Sequence, residues 1–231
     1  MSIELDLRQG APGAREPLPD ISDAAAAAGL LDVAYATLDS PVGTLLVAVT
    51  PRGLVRLAYL DGDESEASVL AQLAATVSPR VLAAPRKLDE PRRELDQYFA
   101  GRRRQFELPL DWQLTRGFAR RVLEATAGIP YGATATYKQV ASGAGNARAY
   151  RAAGNALGSN PIPIVVPCHR VLHSGGGLGG YTGGLERKRI LLGVEGSKGP
   201  RDAAKRHPPR EFGDAVDTYA TSAPKSAPSL R

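Results

Sequence analysis

A single cysteine among 231 residues sits in Pro167-Cys168-His169-Arg170, directly behind the run Asn160-Pro161-Ile162-Pro163-Ile164-Val165-Val166. A lone thiol closes no internal disulfide and builds no cysteine-based zinc cage, so its uses are packing or reaction. The thiolate is the nucleophile. At a free pKa of about 8.5 only a few per cent is ionised at neutral pH, and a neighbouring base or cation raises that fraction. His169 is such a neighbour and the natural base. Adjacent residues of an extended chain point to opposite sides, so Cys168 and His169 need not touch, and a bridging water is the expected link. From these two residues alone, an inert packed thiol and a reactive one remain equally open.

The elements that must position this pair fall into two units. Val33–Leu38, Leu45–Val49 and Leu54–Tyr59 read as strands, with Ser40-Pro41-Val42-Gly43 and Pro51-Arg52-Gly53 as turns. Helical periodicity follows over Ser65–Val77 and over Lys87–Phe99, where Leu88, Leu95, Tyr98 and Phe99 share a face. A second unit begins near Thr115. It has a helix over 116–127 with Phe118, Val122 and Ala125 inward, then a break at Gly128-Ile129-Pro130-Tyr131-Gly132. A short helix over 137–141 is capped by Thr136, and Gly143-Ala144-Gly145-Asn146 turns the chain. A further helix spans about 147–157, ended by Pro161. Short helix, glycine turn and helix make a helix-turn-helix candidate. A glycine-rich loop, Gly175–Gly184, leads into a last helix over about 186–192. The expected fold is α+β in two domains. Residues 32–111 form a small α/β domain with a short antiparallel sheet, and 112–196 a mostly helical domain carrying Cys168. Residues 1–31 are expected as a disordered leader with at most one short helix, and 197–231 as a disordered basic tail.

Charge is partitioned. Residues 1–111 carry 12 Lys and Arg against 17 Asp and Glu, whereas 112–196 carry 10 against 3. Basic charge concentrated around the thiol suggests a polyanion, nucleic acid first. No apolar run reaches transmembrane length, and acidic residues occupy the place of a signal peptide's positive region, so no membrane partner is expected. One free cysteine suits a reducing, cytoplasmic compartment.

Several segments carry a more specific signal. They are Ile129-Pro130-Tyr131-Gly132, Thr136-Tyr137, Ala149-Tyr150-Arg151-Ala152, Asn160-Pro161, Pro167-Cys168-His169-Arg170-Val171, Gly180-Tyr181-Thr182-Gly183-Gly184 and Glu195-Gly196. In this order the chain resembles the O6-alkylguanine-DNA alkyltransferases, direct-reversal DNA repair proteins, over about residues 33–196. The resemblance implies single-turnover transfer of the alkyl group from O6-alkylguanine to Cys168, with O4-alkylthymine a further candidate substrate and no cofactor or metal. It implies that Glu195 orients His169, that a water relays the proton, and that Asn160 ties the thiol segment to the preceding loop. Tyr137 would donate to the leaving guanine, with Lys188 in electrostatic support. Pro163, Val166, Tyr181, Thr182 and Gly183 would wall the pocket.

The target base must leave the duplex to be reached. By the same resemblance Arg151 enters the stack from the minor groove. Arg148, Ala149, Ala152, Ala153 and Gly154 accompany it on a helix whose small outward residues, with Ala156 and Gly158, allow close approach to DNA. Tight helix packing explains such a stripe equally well. The protein is expected to act as a monomer on double-stranded DNA, with cooperative binding left open.

The chain departs from the family at Ala119 and Leu123, where Gln and Trp are usual, at Ala152, where Val is common, and at His173, which would stand at the pocket rim. With no Cys or His before Cys168, the N-terminal zinc site of some members cannot form. Three other readings make distinct predictions. A damage-binding protein of this fold would bind the lesion without transfer. A Cys168-His169-Glu195 thiol hydrolase would turn over an ester or amide without DNA. A helix-turn-helix regulator would bind one sequence and ignore loss of Cys168.

Overall fold

The computed structural model describes residues 22–60 and 64–197; most of the expected leader and tail, and with them His207, lie outside the described residues. Alternating apolar residues sort three strands onto two faces of one sheet. β1 (Val33–Leu38), β2 (Leu45–Thr50) and β3 (Gly53–Tyr59) pair antiparallel in sequence order. Val55 is the extra residue opposite the Ala48–Val49 step, a bulge that keeps Leu54 and Leu57 on the same face. Gly53 closes the hairpin at φ 130°, and a Cβ there would stand 2.2 Å from the Pro109 carbonyl oxygen. That carbonyl instead accepts from Leu54 N at 2.8 Å, pinning the incoming chain to β3.

α2 (Glu66–Thr76) starts at a reciprocal Ser65–Ser68 capping box and lays Val69 and Leu73 on Val33, Leu46, Val55 and Ala58. β4 (Val81–Ala83) then joins the far edge, parallel to β1, giving the order β3-β2-β1-β4. The antiparallel sheet read from the sequence thus carries one parallel edge strand. Three residues bounded by Ser78-Pro79 and Ala84-Pro85 are too few to show alternation. α3 (Asp89–Phe99) covers the opposite face with Leu95 and Tyr98. A short helix, α1 (Ser22–Ala27), precedes β1.

The second unit is helical. α4 (Gly117–Ala127) buries Val122, Leu123 and Thr126, so Leu123 fills the core at the position of the expected tryptophan. β5 (Ala135–Thr136) pairs parallel with β6 (Val171–Leu172). α5 (Tyr137–Gly143) begins at a Thr136–Gln139 capping box. After the glycine turn, a single 3₁₀ turn over Ala147–Ala149 leads into α6 (Tyr150–Gly158). α4, α5 and α6 pack on one another. α7 (Leu185–Val194) follows the glycine loop and is capped by Glu195. The core is continuous: the α3 face of the sheet joins Val122, Val140, Ala153, Ile164 and Leu191 in one apolar cluster. The two units therefore share an interior.

Candidate active site

The thiol segment is held by its own backbone. Asn160 Oδ1 accepts from Ile162 N at 3.0 Å, and its Nδ2 donates to Val166 O at 2.9 Å and to Cys168 Sγ at 3.1 Å. Two three-residue turns lie between these contacts. Val165 N reaches Pro163 O at 3.0 Å around Ile164, whose φ is 73°, and Cys168 N reaches Val166 O at 2.8 Å around Pro167. A buried β-branched residue at positive φ is strained, a cost of about 1–3 kcal/mol that the surrounding contacts must offset. Cys168–Arg170 form one 3₁₀ turn, not the extended chain expected from the sequence. The side chains still diverge: Cys168 faces a cavity and His169 turns into the core.

Behind the thiol, Glu195 gathers donors. His169 Nε2 lies 2.8 Å from Oε1, Arg170 Nη2 2.8 Å from Oε1 and its Nε 2.9 Å from Oε2. Tyr98 Oη donates to Oε1 at 2.8 Å and Gly132 N to Oε2 at 3.2 Å. Arg170 also donates to Ile129 O, and Tyr131 Oη to Val194 O at 2.7 Å. Burial alone would raise the Glu195 carboxyl, but the hydrogen bonds and charges of His169 and Arg170 bring it down to about 2. Burial lowers His169, with the pull of Glu195 opposing it. His169 Nδ1, on the other side of the ring, is buried with no protein hydrogen-bond partner. Cys168 is 6% exposed. Its thiol is pushed up to about 11 by burial, against the Asn160 hydrogen bond and the Lys188 charge. The resting group is therefore a thiol, the reverse of the enriched thiolate that the neighbouring cations suggest.

In front of the thiol lies a cavity of about 740 Å³, walled by Tyr137, α6 and the glycine loop. Tyr137 is half-buried between Gly154, where a Cβ would stand 3.7 Å from the ring, and Gly179, where one would stand 2.5 Å from Oη. Burial, and then the nearness of Cys168, raise its phenol. The loop is fixed from two sides. Lys188 is wholly buried, donating Nζ to Val171 O at 2.7 Å and to Leu178 O, so it does not belong to the solvated face that its basic neighbours suggest. Burial lowers its ammonium to about 8. Tyr181, a cavity wall, shares a 2.7 Å hydrogen bond with Tyr59 Oη of β3. Arg187 stacks over the Tyr59 ring at 4.6 Å and donates to Val42 O and Gly183 O.

The structure thus brings together Cys168, His169, Glu195, Asn160, Tyr137, Lys188, Tyr181 and Thr182. Others are displaced from their expected positions. Val166 is buried and Gly183 is packed against Tyr59, and neither lines the main cavity. Pro163 lines a smaller neighbouring cavity of about 210 Å³ that also reaches Cys168. On α6, Arg151, Ala152 and Gly158 are exposed, as is Arg148 before it, while Ala149 and Gly154 are half-buried. Ala153 and Ala156 are buried and belong to the packing face, because a helix two and a half turns long cannot expose five small residues within seven positions. His173 is exposed at the cavity rim, its ring 5.2 Å from that of Tyr137. Sequence reasoning missed Arg170 as a ligand of Glu195, although it stands beside the thiol motif. It also missed Tyr98 and Tyr59, whose only sequence signal is membership of a core face.

Residues 33–112 match the 6-O-methylguanine DNA methyltransferase ribonuclease-like domain, and 117–197 the DNA binding domain of the same protein. A methylated-DNA–protein-cysteine methyltransferase of Methanosarcina barkeri is 38% identical over 161 residues, covering 70% of this chain and 96% of its own. One of Mycolicibacterium paratuberculosis is 39% identical over 168 residues, covering 73% and 95%. The Mycobacterium tuberculosis OGT structure in complex with DNA superposes with a TM-score of 0.60 at 38% identity, over 73% of this chain and 96% of that one.

Proposed function

The chain belongs to the 6-O-methylguanine DNA methyltransferase family, and we propose that it repairs DNA by moving the alkyl group of O6-alkylguanine onto Cys168, once per molecule. The carrying observation is the buried thiol facing a cavity, backed by the His169–Glu195 pair. With Nε2 committed to Glu195, the imidazole has Nδ1 free to take the thiol proton, and one water joins Nδ1 to Sγ. Glu195, held near 2, stays ionised and stabilises the imidazolium. Sγ bonds to the alkyl carbon as the carbon–O6 bond breaks. The electron pair stays on the guanine, which the Tyr137 hydroxyl meets as a hydrogen-bond donor and which then takes a proton at N1 from solvent, as the imidazolium releases the thiol proton to solvent. Water does not cleave the resulting thioether, so the protein is consumed. A thiol near 11 makes attack depend on His169, and it keeps the idle protein from reacting indiscriminately.

The cavity admits a base turned out of a duplex. The exposed Arg151 at its edge, with Arg148 and Ala152, supports docking of α6 in the minor groove, with Arg151 filling the vacated stack. Such contacts carry little sequence information and weaken with salt. We place this chemistry in a reducing cytoplasm, on a monomer; no helix among the described residues is long and apolar enough to cross a membrane. The test is single-turnover transfer from duplex DNA carrying one O6-methylguanine. Arg151→Ala should slow transfer from the duplex at least tenfold (about 1.4 kcal/mol) while sparing reaction with free O6-alkylguanine base. Equal loss on both substrates would remove Arg151 from the flipping step.

A further inference from the structure

We propose that Tyr98, on α3 of the N-terminal unit, is a positioning residue for the reaction, its hydroxyl fixing the Glu195 carboxylate and through it the His169 ring. The proposal rests on the alkyl-transfer reading above.

Tyr98 Oη and His169 Nε2 bind the same carboxylate oxygen, each at 2.8 Å. The remaining donors to Glu195, from Arg170 and Gly132, lie within the thiol-bearing unit. Among the described residues, Tyr98 alone reaches it from the other unit. Its side chain is 1% exposed, and its ring packs at 5.2 Å on Phe106, 5.4 Å on Phe99 and 6.2 Å on Tyr131. Phenylalanine would fill this aromatic cluster equally well, so packing does not explain the hydroxyl. A polar group in such a place persists when it is bonded, and here its partner is the group that orients the base. Burial, then the Glu195 charge, keep the phenol protonated, so it remains a donor.

Without that hydroxyl, Oε1 loses a donor and turns more charge on His169. The imidazole then holds its proton more tightly and its Nδ1 is less firmly aimed. The other charged and titratable groups around the pair, Arg170, Lys188, Cys168 and Tyr131, stay in place.

The experiment compares the full chain with Tyr98→Phe in single-turnover transfer from an O6-methylguanine duplex across pH. Affinity for lesion-free duplex and thermal unfolding are measured alongside. The ¹⁵N imidazole signals of His169, one of three histidines in the chain, report protonation directly. Phe106→Leu serves as a packing control for the same cluster. Tyr98→Phe should bind DNA as the parent does and transfer about tenfold more slowly, the loss of a hydrogen bond to a charged group. Its acid limb and its His169 titration should move to higher pH by about half a unit or more. Phe106→Leu should lose stability and leave both unmoved. A Tyr98→Phe profile that coincides with the parent's, or that loses only stability as Phe106→Leu does, would overturn the proposal. So would failure of Tyr98→Phe to fold, which would make the hydroxyl a determinant of folding. No transfer by the parent chain would instead overturn the alkyl-transfer reading itself.

Discussion

Cys168 combines two properties that seldom meet in a nucleophile: it is buried, and its thiol rests near 11. Reactivity at neutral pH must then come from the base behind it, not from a standing thiolate. Glu195→Gln should therefore slow transfer by more than tenfold (above about 1.4 kcal/mol), measured as single-turnover loss of O6-methylguanine. It should also destabilise the fold, because Arg170 would keep a buried charge without its carboxylate; urea unfolding should show a loss of about 3–5 kcal/mol. At this scale much of the site was legible in the chain. Pro167-Cys168-His169 and Asn160 lie close in sequence, and their contacts are local. Tyr98 was not legible as part of the site. It sits on a helical stripe with Leu88 and Leu95, and its partner is 97 residues away.

Elements confine the chemistry by closing around the cavity. Gly183 lies where a Cβ would come within 2.6 Å of the Tyr59 ring and 2.8 Å of Tyr181. Gly183→Ala should therefore push the glycine loop off β3, lower the thermal midpoint, cost about 1–3 kcal/mol and slow transfer. A parallel crystal structure should show the Tyr59–Tyr181 hydrogen bond broken. The strands behind this loop and the Thr136 cap were readable, because alternation and capping are properties of residues close in sequence. β4 escaped, being three residues long. The orientation of α6 also escaped. Its composition of Ala and Gly is compatible with packing and with DNA approach, and only the packed α4 and α5 decide that Ala153 faces inward while Arg151 faces out.

The two units share one core and meet at Glu195, beside the Tyr59–Tyr181 and Arg187–Val42 contacts, so acid should act on fold and site together. The Glu195 carboxyl falls from an ordinary 4.5 to about 2 on folding. A depressed folded pKa gives stability that is present above the unfolded value and lost as pH falls through the folded one. His169 is also lowered, from 6.5, so the unfolded chain takes up its proton first. Both effects have the same sign. Stability should begin to fall below pH 6.5, fall further below 4.5 and level off only below about 2; a flat thermal midpoint between pH 6 and 3 would contradict this. The partition of charge into acidic and basic regions was visible in the sequence, but the shared interior depends on long-range packing that periodicity does not report. The most direct test of the central claim is intact and peptide mass spectrometry after mixing the protein with excess duplex bearing one O6-methylguanine, with Cys168→Ala alongside. One CH2 should be gained on the peptide containing Cys168, saturating at one per molecule and absent from Cys168→Ala. An unchanged mass, with the thiol titrating as free and the lesion intact in the DNA, would contradict it.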